Sequence, residues 1–131
     1  MAAERGAVTI VAVTAAFILC LSALGAADLG AMLHARARAQ SAADAAALAA
    51  VTEQAPILGR GNDPEQAARD EATRNDATLT RCDCTVGQTD ATVEVEVSPR
   101  LLFLSGWFGR RVHARARASI DPDVLTYRDG G

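Results

Sequence analysis

The sequence predicts an α+β chain: a long N-terminal membrane-spanning helix, a second short helix, and a small three-stranded antiparallel sheet. Three observations predict it. An uncharged apolar run occupies Gly6–Ala27. An alanine-dominated, proline-free stretch follows from Asp28 to Gln54. Beyond it, short segments alternate apolar and polar residues with the period of two that marks half-buried strands. The organisation that follows is a leader (1–6), a transmembrane helix (7–27), an alanine-rich helical stalk (28–55), a small α+β domain (56–120) and a flexible tail (121–131).

With 131 residues the chain is one small domain at most. Three Phe, one Trp and one Tyr leave few large side chains for a core, and so lean a domain draws on the membrane helix or a partner for stability. The net charge of −3 does not point to nucleic acid as a partner. All 13 basic residues are arginine, which reads as the codon bias of a GC-rich genome.

The run Gly6–Ala27 holds no charge and, as polar residues, Thr9, Thr14 and Ser22; Cys20 behaves there as a small apolar residue. As a helix it is ~33 Å long, enough to cross a hydrocarbon core of ~30 Å. Three uses compete: a permanent anchor, a cleaved secretory signal and a pilin-type signal. Ala23-Leu24-Gly25 offers a small-x-small site, but the run is longer than the usual h-region and its only preceding Arg is offset by Glu4. Glu4-Arg5-Gly6 abutting the run is the leader form that a prepilin-type peptidase cuts. Gly6 has no side chain to clash at the bond, and cleavage would leave Ala7 as the new N-terminus. Charge does not fix orientation: Arg5 lies on one side, Arg36 and Arg38 on the other, and the positive-inside rule read literally disfavours export of the C-terminal part.

Alanine is the best helix former, so the helix is expected to continue past the membrane to Gln54 and end before Pro56 and Gly59. Residues 7 to 54 would form a rod ~70 Å long, loosened near the membrane exit by Gly25 and Gly30. Ala43, Ala46, Ala47 and Ala50 share one face by three- and four-residue spacing, and such a surface lets another helix approach closely. The alternative is that alanine there reflects only composition and helix propensity.

Asp63-Pro64-Glu65-Gln66 starts the second helix, with Asp63 as cap, Pro64 in the first turn and Gln66 three residues after the cap; it runs to Arg74 or Asn75. Thr80, Cys82, Cys84 and Val86 would share one strand face. Val93, Val95 and Val97 alternate with Glu94 and Glu96, and Val112 to Ile120 alternate with His113, Arg115, Arg117 and Ser119. Gly87-Gln88-Thr89-Asp90 is the hairpin loop between the first two strands. A meander places Glu94 and Glu96 opposite Arg115 and Arg117, pairs worth ~0.2–1 kcal/mol each.

Cys82 and Cys84 stand two residues apart, ~6.6 Å between Cα atoms in a strand, near the upper limit for a disulfide. A strained intrachain disulfide, an intermolecular link and buried thiols all remain open. Two thiolates make no zinc site, and His34 and His113 do not fall at ligand spacing. The segment Leu101–Phe108 is the most apolar outside the span. The scarcity of large side chains elsewhere favours its burial against the sheet; the alternative is a membrane or partner contact through Phe103, Trp107 and Phe108. No nucleophile with a base, metal set or phosphate loop supports catalysis. The reading is therefore non-enzymatic, without cofactor or small-molecule substrate.

The stretch Arg38-Ala39-Gln40-Ser41-Ala42-Ala43-Asp44-Ala45-Ala46-Ala47-Leu48-Ala49-Ala50, with Asp28-Leu29-Gly30 at the exit of the span, resembles the junction of TadE/TadG-like proteins of the tight-adherence (Flp) pilus system. Asp44 and Gln40 stand at fixed places in an otherwise alanine-rich run. The resemblance covers residues 4–54 by motif and the remainder by layout. It implies a minor pilin or pseudopilin of the cytoplasmic membrane, single-pass, with its C-terminal domain outside the cytoplasm and with membrane lipid and other pilin-type or Tad assembly subunits as partners. Many pilin-type precursors carry Glu five residues after the cleavage point; here that position is Val11. The other reading is a membrane-tethered binding module of the cell envelope that does not enter a filament.

Overall fold

The computed structural model of the protein describes residues 2–55, 63–103, 109 and 111–121. Five elements follow in order: α1 (Ala2–Gln54), α2 (Pro64–Arg74), β1 (Thr78–Asp83), β2 (Asp90–Val97) and β3 (Val112–Ser119). The α+β class, the two helices and the three-stranded sheet are as the sequence predicts. The strands form an antiparallel meander in the order β1-β2-β3.

α1 is one uninterrupted helix of 53 residues. Neither Gly25 nor Gly30 breaks it, since the surrounding alanines and leucines propagate the backbone and nothing crowds either glycine. It ends at Gln54, as expected; Pro56 and Gly59 lie outside the described residues. The chain divides into two compact units. One holds the described residues of Met1–Leu33 and Arg100–Gly109, the other those of His34–Pro99 and Arg110–Gly131. The second unit takes in the stalk from His34 onward, and the described residues after Pro99 up to Gly109 group with the N-terminal half of α1.

In the α+β unit the core is a contact between short side chains. Ala35, Ala39, Ala42, Ala43, Ala46, Ala47, Ala50 and Val51 recur at three- and four-residue steps along α1 and are all at most 1% exposed. They meet Ala68 and Ala72 of α2, Ala77 just before β1, Ala91, Val93, Val95 and Val97 of β2, and Ala116 of β3. Methyl groups keep backbones close, and among the described residues this core holds no aromatic side chain. Leu102 and Phe103 are 77% and 60% exposed. The expectation of burial is corrected at those two positions; Trp107 and Phe108 lie outside the described residues.

α2 starts as its sequence indicates. Asp63 Oδ1 accepts from the Gln66 backbone N–H at 2.9 Å and Pro64 stands in the first turn. The Gln66 side chain donates to Asp70 at 2.7 Å, bracing the next turn. The helix stops in a Schellman motif: Asp76 (φ 55°) occupies the left-handed position, Ala77 N–H donates to Ala72 C=O at 3.0 Å, and Asp76 N–H to Thr73 C=O at 3.1 Å.

β1 departs from the predicted alternation. Its register against β2 shifts between Leu79 and Arg81, leaving Thr80 as the extra residue of a bulge. Leu79 and Cys82 therefore both turn toward the core, while Thr80 is exposed and donates to Glu94 C=O at 3.0 Å. The shared face of Thr80, Cys82, Cys84 and Val86 is thus replaced by Leu79, Cys82 and Cys84; Val86 is 51% exposed. Gly87 (φ 91°) makes the turn that a side-chain-bearing residue would resist. On the outer face Arg117 pairs with Asp90 at 3.0 Å, Arg115 with Glu94 at 3.7 Å and Arg111 with Glu96 at 2.7 Å. Glu94 meets Arg115 as expected. Glu96 lies opposite His113 and takes Arg111 in place of Arg117, because antiparallel pairing that sets Glu94 against Arg115 sets Glu96 against His113.

Candidate functional site

The N-terminal half of α1 is an unbroken apolar surface. Val8, Ile10, Val11, Val13, Phe17 and Leu19 are each 63–70% exposed, and Ile18, Leu21 and Leu24 less so. Thr14 and Ser22 turn their hydroxyls back to the carbonyls of Ile10 and Ile18, both at 2.8 Å, so neither presents an unmet donor to an apolar medium. This is the one helix, among the described residues, long and apolar enough to cross a membrane. Exposing so much apolar surface to water is unfavourable at ~25 cal/mol per Å2, so its natural surroundings are lipid or another apolar surface.

Asp28 ends that surface. It is 1% exposed, and its carboxylate accepts two backbone N–H groups from far along the chain: Leu102 to Oδ1 at 2.8 Å and Phe103 to Oδ2 at 3.1 Å. A buried carboxylate is costly unless hydrogen-bonded, and two main-chain donors meet that requirement. In the sequence Asp28 figures only as part of the junction motif. The one signal that singles it out is that it is the first ionised side chain after Arg5.

Gln54 is the counterpart at the other end of α1. It is fully buried, its Nε2 donates to Thr85 C=O at 2.9 Å, and its carbonyl accepts Gly87 N–H at 3.1 Å. The helix C-terminus is thereby tied to the β1–β2 loop and one of its orphan carbonyls satisfied. No pattern in the sequence marks this role.

The remaining predicted residues fall as follows. Gly6 and Ala7 are exposed within α1. Cys82 and Cys84 form a disulfide with Cα atoms 5.4 Å apart; β1 ends at Asp83, so Cys84 is free of the extended geometry that would hold the two further apart. Cys20 is a free, exposed cysteine. Ala43, Ala46, Ala47 and Ala50 are at most 1% exposed, enclosed by the chain's own sheet and α2. The close approach they permit is used inside the molecule, which corrects the expectation that this face receives another subunit. The opposite side of the same helix, with Ala45, Leu48, Ala49 and Thr52, lines an open groove of about 490 Å3 shared with α2. Leu48 is 62% exposed there. Among the described residues no three His, Cys, Asp or Glu side chains come together as a metal site.

Residues 6–55 match a family model described as Flp pilus-assembly TadE/G-like. The match spans the apolar surface, Asp28 and the alanine face up to the residue after Gln54, and agrees with the resemblance read from the junction. No curated protein and no solved structure gives a match to the chain.

Proposed function

We propose, from the match of residues 6–55 to the Flp pilus-assembly TadE/G-like family model, that the chain takes part in assembly of that pilus with its other components, as a non-enzymatic structural subunit of the minor-pilin or pseudopilin kind. It is held in the cytoplasmic membrane by the first half of α1, with its α+β unit outside the cytoplasm. The observation that carries the reading is the continuity of α1: one helix bears both the apolar surface and the alanine face on which the sheet is built. A domain assembled on its own membrane helix suits a component whose position is set by that helix. Partner subunits would enter the groove between the stalk and α2, at the exposed Leu48. The leader is cut between Gly6 and Ala7, which leaves the apolar surface intact.

The test is cysteine crosslinking from Leu48→Cys, in a Cys20→Ser background, to candidate assembly subunits in piliated cells, with piliation scored after deletion of the gene. Crosslinks together with lost or altered pili support the reading. Normal pili and no crosslink from Leu48 sink it and favour the membrane-tethered binding module. Val11, standing where many pilin-type precursors carry Glu and 68% exposed, is the feature that favours that second reading. The mass of the native protein decides the leader: a start at Ala7 is expected, a start at Met1 refutes cleavage, and a start at Ala26 identifies a secretory signal.

A further inference from the structure

We propose that residues 100–103, just after β2, form a membrane foot: Asp28 clamps them to the exit of the span, and Leu102 and Phe103 rest in the lipid interface. The inference builds on the membrane-anchored reading above. The apolar run before Asp28 is ~33 Å of helix against a hydrocarbon core of ~30 Å, so Asp28 stands at the boundary of that core. Leu102 and Phe103 donate their main-chain N–H groups directly to its carboxylate, so their backbones lie at the same level. Their side chains are 77% and 60% exposed, and on α1 Leu24 and Leu29 are 39% and 62% exposed on either side of that level.

The clamp itself favours lipid as the occupant. Non-helical backbone at membrane depth is tolerated only where its polar groups are satisfied. In most surface loops water would meet these two N–H donors; here a buried carboxylate does. Residues 102 and 103 are thus relieved of the main obstacle to losing their water, while their large apolar side chains remain exposed. Arg100, exposed two residues before Leu102, has the length to reach lipid phosphates from the same position. The apolar surface of Leu102 and Phe103 is continuous in kind with the lipid-facing surface of the helix to which it is tied.

The test uses the full chain with Cys20→Ser, the Cys82–Cys84 disulfide intact, reconstituted in phosphatidylcholine–phosphatidylglycerol vesicles. An environment-sensitive fluorophore is attached at Phe103→Cys, at Leu19→Cys within the span, or at Ser41→Cys, which is exposed on the part of α1 that packs the sheet. Quenching by lipids brominated near the headgroup should be several-fold greater at position 103 than at 41, while position 19, deeper in the span, is read with lipids brominated far down the acyl chains. Asp28→Asn, which replaces one of the two acceptors with a donor, should bring position 103 down toward position 41 and leave position 19 unchanged. Quenching at 19 with none at 103 overturns the foot while leaving the membrane reading intact. Absence of quenching at 19 refutes the membrane reading itself. If position 103 in native membranes is shielded from iodide yet not quenched by lipid, a protein covers the patch and the proposal fails. The wild-type depth comparison stands even if Asp28→Asn does not fold.

Discussion

At the level of single residues, the alanines of α1 show how little the choice of side chain says about what it will touch. Ala43, Ala46, Ala47 and Ala50 read as a surface for close packing, and they are one; spacing alone does not reveal whether the neighbour is another chain or this chain's own sheet. The difference is measurable. Ala46 is fully buried, so Ala46→Leu forces extra methyl groups into a filled core and should destabilise the α+β unit by ~1–3 kcal/mol. Leu48→Ala, two residues on and on the exposed side, should change stability by no more than ~0.5 kcal/mol. Urea midpoints of the two variants in the same detergent separate the cases; equal midpoints would mean the alanine face is not a core. Asp76 supplies a second test. Its φ of 55° is one that glycine adopts freely, and its pairing with Arg38 at 3.7 Å, with the Asp76 side chain 84% exposed, offers little in return. Asp76→Gly should therefore leave stability unchanged or raise it by up to ~1 kcal/mol despite the added chain entropy, and a fall in the thermal midpoint would show that the ion pair outweighs the backbone. The alternation of β2, the cap of α2 and the extent of α1 were legible because each depends on neighbours in sequence. The bulge at Thr80, the Gln54 contacts and the Asp28 clamp were not, because each depends on residues 14 to 75 positions away.

Among the elements, the sheet carries its charge on one face and its apolar residues on the other, as a strand pattern of period two requires. The ladder of Asp90, Glu94 and Glu96 against Arg117, Arg115 and Arg111 helps fix register, since a slip of one residue would bring Val93 and Val95 outward. Its members are unequal. The Glu96 carboxylate side chain is 17% exposed and 2.7 Å from Arg111, whereas Glu94 is 35% exposed and 3.7 Å from Arg115. Glu96→Gln should cost about 1 kcal/mol and Glu94→Gln a few tenths at most, in keeping with the range for cross-strand pairs and exposed ion pairs. Thermal denaturation at low and high salt checks both. The Glu96→Gln deficit should shrink as salt rises, and a deficit larger for Glu94→Gln would mean that distance and burial do not rank the pairs.

For the whole molecule, the direction in which it sits in the membrane decides whether the assembly reading is tenable. The arginine distribution argues one way: Arg36 and Arg38 follow the span and only Arg5 precedes it. Two features argue the other way. Cys82 and Cys84 form a disulfide, a bond that persists in oxidising compartments and is rare in the cytosol. Arg38 pairs with Asp76 and is only part exposed, so it is a less free cation than a count of residues suggests. The chain beyond Ala27 should accordingly lie outside the cytoplasm. Ser41→Cys in a Cys20→Ser background tests this directly, because Ser41 is exposed while the native pair, being oxidised, does not compete for a thiol reagent. An impermeant maleimide added to intact spheroplasts should label position 41 to the same extent as in ruptured cells. Labelling that appears only after rupture would place the α+β unit in the cytoplasm, where neither a pilus contact nor a foot on the outer leaflet is open to it.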